Sequence, residues 1–349
     1  MASVHRSLAI ALAERYALIA LSLISYVVVA RLLTPAEIGI YAIATALIGM
    51  AQVIRDFGVG SFLIQEKRLT DAHIQSALGV SLLIGATLFA IFMLAAPFAG
   101  RFYGDVRVTG IVRLVAFNFL LLPFCSISIS LLRREMLFGR IMAANLTAAV
   151  VGTIVTLGLA WTGSGPKSLA WGALAANVAT GLVAWLVRKS RRLLWPSLSE
   201  FRAIVRFGGQ TTIAAVITSA AMDANDLVVG KVLGFSPVAM LSRAQGLMNL
   251  FHRDIMSAVR GVAYPAFAKA HREGEAMDPK YIVSVTNLTV FAWPFYGMAA
   301  LYPLEILRLV FGPQWDAAAH LVPIFCLAGA AAATYSLINP NGTYFGLFA

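Results

Sequence analysis

Ten stretches of about 20 apolar residues, separated by short polar or Gly/Pro breaks, dominate this chain of 349 residues. A helix of that length crosses the roughly 30 Å hydrocarbon core of a bilayer. The runs lie near 8–32, 36–64, 74–100, 108–131, 141–162, 168–187, 207–229, 238–266, 281–302 and 317–338. The first lacks a small-residue cleavage site and flows into Arg31-Leu32-Leu33-Thr34-Pro35, so it reads as a retained span and not a signal peptide. Composition agrees. Only 12% of residues are charged and 60% are hydrophobic, with a mean hydropathy of +0.81, whereas soluble domains are about 25% charged. The fold class expected is an all-α integral membrane protein, and a soluble multi-domain enzyme is not expected.

The chain carries 27 Lys+Arg against 16 Asp+Glu, a net +11. In so apolar a chain that excess belongs in loops facing an anionic cytoplasmic leaflet; nucleic acid is the weaker reading and is not expected as a partner. With a cytoplasmic N-terminus, the inner segments hold fifteen basic residues, among them Lys67, Arg68, Arg133, Arg134, Arg140, Arg188, Lys189, Arg191 and Arg192. The outer loops hold six: Arg31, Arg101, Arg107, Lys167, Lys231 and Arg308. That bias sets the orientation expected. Cys125 and Cys326 both sit in apolar runs and read as small hydrophobes, not a disulfide.

The longest basic stretch, Arg188 to Arg206, contains Trp195-Pro196 and reads as an interfacial linker between six spans and four. The segment after it repeats the start of the chain at an offset of 200 residues. Val29-Ala30-Arg31-Leu32-Leu33 matches Val229-Gly230-Lys231-Val232-Leu233, and Ala44 to Leu47 resembles Ala244 to Leu247. Phe102-Tyr103-Gly104-Asp105 is echoed by Phe311-Gly312-Pro313. Such a repeat implies two parallel bundles related by an axis along the membrane normal. The expected organisation is a six-helix bundle over 1–187, a basic cytoplasmic linker over 188–206 and a second bundle over 207–349. That second bundle is short of two spans, which suggests a truncated form of a 12- or 14-span protein.

Ionisable residues within spans cost ~3 kcal/mol each on insertion scales and turn inward. On the first span Arg15, Ser22 and Tyr26 share a face; on the second, Tyr41, Thr45, Gln52 and Arg55 do. The seventh repeats the pattern with Thr211, Thr218 and Asn225, beside Ser219, Asp223 and Asp226. The eighth carries Ser242, Asn249, Arg253 and Arg260 on one stripe, with Gln245 and His252 next to it. Spans three to six offer little beyond Asn118, Asn145 and Asn177. Four polar faces, the first two of each bundle, escape lipid together by lining one central cleft, which describes a transport pathway. Its candidate binding residues are Arg15, Gln52, Arg55, Asn225, Asp226, Gln245, Asn249, Arg253 and Arg260. The arginines form a ladder of positive charge, and guanidinium suits bidentate phosphate contacts. The competing reading is local neutralisation by Glu14, Asp56 and Asp254, but neighbours on a helix point about 100° apart and pair poorly. Arg243, Asp223 and Asp226 stand between structural and functional roles.

These residues resemble a known family. Arg31-Leu32-Leu33-Thr34-Pro35-Ala36-Glu37-Ile38-Gly39-Ile40-Tyr41 and Asp56-Phe57-Gly58-Val59-Gly60 are similar to the opening of bacterial polysaccharide flippases of the multidrug/oligosaccharidyl-lipid/polysaccharide exporter superfamily. The likeness continues through Phe207-Gly208, Asn225-Asp226, Gly230, Leu233-Gly234, Ala263-Tyr264-Pro265-Ala266 and Phe311-Gly312-Pro313-Gln314-Trp315. The resemblance implies two helix bundles and alternating access that moves an undecaprenyl-pyrophosphate-linked oligosaccharide to the periplasmic leaflet of the inner membrane. It also implies that Arg15, Arg55 and Arg253 or Arg260 engage the pyrophosphate, as cavity arginines of related lipid II flippases do. Partners implied are the lipid-linked oligosaccharide, the bilayer, and a polysaccharide polymerase and export machinery.

Two rival functions fit less well. A cationic-drug exporter of the same superfamily needs an acidic cavity, and this cleft is net basic. A membrane polymerase or ligase needs paired carboxylates or Arg/His clusters on a large outer loop, and the outer loops are short. No cofactor or metal is expected. Coupling to a proton or sodium gradient, with Asp223 or Asp226 as its site, is left open by the residues.

Overall fold

The computed structural model describes residues 17–18, 20–56, 58–66, 69–188, 195–201, 204, 216–217, 219, 223–249, 251–252, 256 and 277–335, and among them there is no strand. The chain divides into two compact units, Met1–Val238 and Ala239–Ala349. In the first, α1 covers Ala20–Leu32, α2 Pro35–Asp56, α3 Val59–Gln65 and α4 Asp71–Tyr103. They are followed by α5 Val106–Ala116, α6 Asn118–Arg134, α7 Phe138–Trp161, α8 Lys167–Leu186 and α9, 223–232. Helix α10, Phe235–Asn249, runs from the first unit into the second.

Six helices among the described residues are long and apolar enough to cross a membrane: Pro35–Ile64, Asp71–Tyr103, Val106–Arg134, Phe138–Trp161, Lys167–Leu186 and Tyr281–Leu301. Pro313–His320 with Val322–Thr334, bent by 58°, adds a further one. They coincide with the second to sixth, ninth and tenth runs expected from sequence. The first, seventh and eighth are described in part, as α1, α9 and α10. The outward surface suits lipid: Leu94 is 74% exposed, Ile154 65% and Trp161 81%. The molecule is an all-α, multi-pass membrane protein.

Between lipid-facing helices apolar burial gives little drive, so close approach of small residues takes over. Buried Ala44, Ala96, Ala144, Ala170 and Ala184 line the interior of the first unit. Helices α7 and α8 meet at Gly152 and Gly172, where an added methyl would collide with Ala176 and Thr156. Local signals set the helix ends. Thr70 caps α4 through a reciprocal box with His73, and Gly104, at φ 71°, ends it in the left-handed region that favours glycine. Asp105 then caps α5.

The repeat is visible in the backbone. Leu33 N donates to Val29 O at 2.9 Å, and Leu233 N to Val229 O at 2.8 Å. Each closes a helix ahead of a short break, after which α2 and α10 begin at Pro35 and Phe235. Buried Ile38 and Ala44 in α2 correspond to buried Val238 and Ala244 in α10, and Ala30 to Gly230.

The stretch after α8 is not a free strand of chain where it is described. Ser197 N donates to Gln75 O at 3.1 Å, Ser199 Oγ lies 3.1 Å from Ser76 Oγ, and Glu200 N donates to Ser76 Oγ. Ile204 is fully buried among Leu63, Leu78, Val80 and Ile127.

In the second unit α11, Met277–Leu301, packs on α13, Val322–Tyr335. Trp293 Nε1 donates to Ala330 O at 3.3 Å, and the Tyr296 ring lies against Gly329. Between them come α12, Pro303–Val310, and a 3-10 helix, Pro313–His320. Phe251, Phe295 and Tyr296 form an aromatic cluster with centroids 5.4 to 5.5 Å apart.

Candidate functional site

Arg55 stands in the last turn of α2 and is only 8% exposed. A cation within a bundle needs polar company, and Arg55 finds it next door: Nη2 donates to Asp56 Oδ1. Sequence spacing argued against this pairing of neighbours. It forms because Asp56 ends α2 and the chain then turns through Gly58, at φ 64°, into α3. Asp56 itself stays open, with 60% of its side chain exposed. The second terminal nitrogen of Arg55, Nη1, is buried and has no hydrogen-bond partner among the described residues.

The wall beside this junction is polar. Cys125 lies within electrostatic range of Arg55, and Ser128 and Ser130 on α6 are buried. A Cβ on Gly60 would stand 2.9 Å from Ser130 Oγ, so α3 and α6 approach closely there. Gln52, three residues before Arg55 and on its face, is half-buried. Thr45, expected on the same stripe, donates its hydroxyl to the Tyr41 and Ala42 carbonyls at 3.0 and 2.8 Å and serves its own helix.

Helix α9 brings acid to the same helix. Asp223 accepts from Ser219 Oγ at 3.0 Å, and a Cβ on Gly49 of α2 would lie 2.8 Å from Asp223 Oδ2. Asp226, one turn on, is half-buried, and Asn225 is exposed. The first unit thus gathers Gln52, Arg55 and the acidic face of α9 along α2. In the second unit, Gln245 is exposed and Asn249 half-buried, four residues apart on α10. Arg15, Arg253 and Arg260 lie outside the described residues.

Arg243 is buried at 3% exposure, with its guanidinium carbon 5.0 Å from the Trp315 ring and 5.5 Å from that of Phe311. Stacking of this kind stabilises a desolvated cation by about 2 kcal/mol. Sequence reasoning left the residue between two roles; this cage holds it in place. Ser126 and Ser130 passed unremarked, although their i, i+4 spacing on a helix was a readable signal that they share a face. Asn118 and Asn177 were noticed singly. They form a pair, Asn177 Nδ2 donating to Asn118 Oδ1 at 2.6 Å.

An arginine fixed in a low-dielectric interior with one unsatisfied terminal nitrogen is set up for an oxyanion, which accepts charge-assisted hydrogen bonds from both edges of the guanidinium plane. An unsatisfied buried donor costs about 1–3 kcal/mol, and a phosphoryl oxygen would recover that.

Known proteins share this chain's sequence family and its fold. The family described as "Polysaccharide biosynthesis protein" matches residues 28–320. Among curated proteins, the "Lipopolysaccharide biosynthesis protein WzxC" of Escherichia coli (strain K12) is 21% identical over 93% of this chain and 66% of its own length. The "Succinoglycan biosynthesis transport protein ExoT" of Rhizobium meliloti (strain 1021) is 24% identical over 93% of this chain and 64% of its own. The "Teichuronic acid biosynthesis protein TuaB" of Bacillus subtilis (strain 168) is 19% identical over 84% and 60%. The chain thus spans about 60–66% of the length of these relatives. Of solved structures, an inward-facing multidrug resistance MATE family transporter of the MOP superfamily shares the fold, with a TM-score of 0.64 and 18% identity over 91% of this chain and 80% of that one.

Proposed function

The chain belongs to the polysaccharide biosynthesis protein family, and from that premise we propose that it is a flippase for a lipid-linked oligosaccharide. Its cargo is the repeat unit of a surface polysaccharide carried on polyprenyl pyrophosphate. The observation that carries this reading is Arg55: a cation enclosed in the bundle with Nη1 lacking a hydrogen-bond partner among the described residues. The fold shared with a transporter, the net +11 charge and the names of the relatives support it.

In this mechanism the pyrophosphate-sugar head enters from the cytoplasmic side onto Arg55 and Gln52, with Arg15, Arg253 and Arg260 as further rungs, while the polyprenyl tail stays in lipid. Rocking of one bundle against the other exposes the head on the far side. Moving about two negative charges out of an inside-negative cell is downhill by ~4–5 kcal/mol at 100 mV, so membrane potential alone biases the direction. The N-terminus is cytoplasmic, as the distribution of Lys and Arg supports. Asp223 and Asp226 are where a coupling proton or sodium ion would act, and a polysaccharide polymerase is the partner that would receive the cargo.

Complementation of a host lacking its own oligosaccharide flippase tests this. The full gene product restores surface polysaccharide, and Arg55→Ala lowers it at least tenfold at equal membrane abundance, with Arg55→Lys between them because lysine offers a point charge without the planar fork. Full restoration by Arg55→Ala would overturn the assignment.

A further inference from the structure

A groove of about 430 Å³ opens on the membrane-facing side of the first unit, walled by α4, α6 and α8; two residues of its floor, Cys125 and Ser128, also belong to the wall beside the Arg55 junction. Its α8 wall carries Val178, Leu182 and Trp185 at i, i+4 and i+7, and Arg188 follows in the bend just past the end of the helix. Facing it on α6 are Leu121 and Phe124. Phe124, Val178 and Leu182 are exposed by 52, 41 and 56%, so the apolar part of the trough is open to hydrocarbon. Two of the polar groups in its floor are already occupied: Asn177 Nδ2 donates to Asn118 Oδ1, and Cys125 Sγ to the Asn177 carbonyl at 3.1 Å.

Length and charge identify the occupant. From Val178 to Leu186 the helix rises about 12 Å at 1.5 Å per residue, and with Arg188 in the bend beyond it the groove spans close to half of the roughly 30 Å hydrocarbon core, about the depth of one leaflet. At about 30 Å³ per water-sized group, the volume holds on the order of fifteen methylenes, one acyl chain. The groove ends in charge. Arg188 is half-buried, with Glu135 within electrostatic range of its guanidinium and no side-chain hydrogen bond to a described residue. Arg133, Arg134 and Arg140 stand at the same end of α6 and the start of α7 against one nearby acid, Glu135. Arg134 and Arg140 are tied to backbone carbonyls, of Leu63 and Val187, which leaves Arg188 for a ligand. Trp185, one turn deeper, has the amphipathic ring that settles at the headgroup level.

We propose that this groove is a binding site for an anionic phospholipid, one acyl chain lying along Val178 and Leu182 and the phosphate on Arg188. It goes beyond the flippase reading and stands whether or not that reading does, since it concerns a resident lipid and not the cargo.

The test is native mass spectrometry of the full chain in detergent, titrated with phosphatidylglycerol or with phosphatidylcholine of the same acyl chains. The parent binds phosphatidylglycerol more tightly; Arg188→Ala weakens that binding about five- to tenfold, the value of one basic side chain near an anionic headgroup, and brings the two lipids level. Val178→Trp fills the trough and weakens both, with the thermal transition of the lipid-free protein unchanged, which separates a blocked groove from a damaged fold. If both variants retain the parent's affinity and preference, the site is not there. If polyprenyl phosphate displaces phosphatidylglycerol at equal concentration, the occupant is the carrier lipid and the phospholipid assignment is overturned.

Discussion

Helices α2 and α10 begin after the same break and bury corresponding faces, yet at one matching position α2 holds Ile43 and α10 holds Arg243. Both are buried, at 0 and 3%. Ile43 presses on Gly230 of α9, where there is no room even for a methyl. Arg243 lies over the rings of Phe311 and Trp315, supplied from 68 and 72 residues downstream. The repeat therefore conserves where a side chain is buried, while the surroundings decide what chemistry that burial tolerates. The same lesson holds at the turns. Asp105 and Arg107 beside Gly104, and Arg308 and Asp316 around Gly312, are bidentate pairs built from different spacings.

The largest way to break the comparison is Ile43→Arg. It places a cation where no aromatic cage exists and Gly230 leaves no space, at a cost of several kcal/mol; the protein is expected not to accumulate in the membrane, read by immunoblot. Next comes Arg243→Ala, which vacates the cage and lowers stability by about 3 kcal/mol. Arg243→Met, filling the same volume without charge, loses about 1 kcal/mol. Thermal unfolding in detergent that ranks these two equally would show that the charge, and not the packing, holds the cage.

A smaller effect sharpens the break itself. Thr34 caps α2 through Glu37, whose Oε2 accepts from both Thr34 N and Thr34 Oγ1 at 2.9 Å. Thr34→Ala should lose about 1 kcal/mol. At the matching Gly234, φ is 91°, so Gly234→Ala loses a similar amount for the opposite reason, a strained backbone.

The smallest effect is electrostatic. The Arg107 guanidinium beside Asp105 holds its carboxyl below the usual carboxylate range. With the folded value depressed, the stability it gives is present at neutral pH, above the unfolded value near 3.9, and fades as pH falls through the folded value. The pair is exposed on the arginine side, so the gain is under about 1 kcal/mol. Melting curves of the parent and Asp105→Asn, which keeps the cap, should differ slightly at pH 7 and converge towards pH 3.

The spans, the repeat and the burial of the cysteines were legible because each rests on local apolar pattern. The placement of Arg55 was legible in part: its face could be counted, but its bond to Asp56 depends on a helix ending where Gly58 turns. Arg243 was not legible, because its partners are distant in sequence and stacking leaves no spacing rule behind. Thr45 misled for a simpler reason: a threonine in a helix can give its hydroxyl to its own backbone, and periodicity does not reveal which use it makes.

The anchored stretch after α8 bears on mechanics. A free coil of the roughly nineteen residues between Arg188 and Arg206 would wander by about 25 Å. With Ser197 and Ser199 bonded at the head of α4 and Ile204 set into the core, that slack is taken up. Any lever action transmitted along the chain from α8 would therefore meet the anchors at Ser197, Ser199 and Ile204 first.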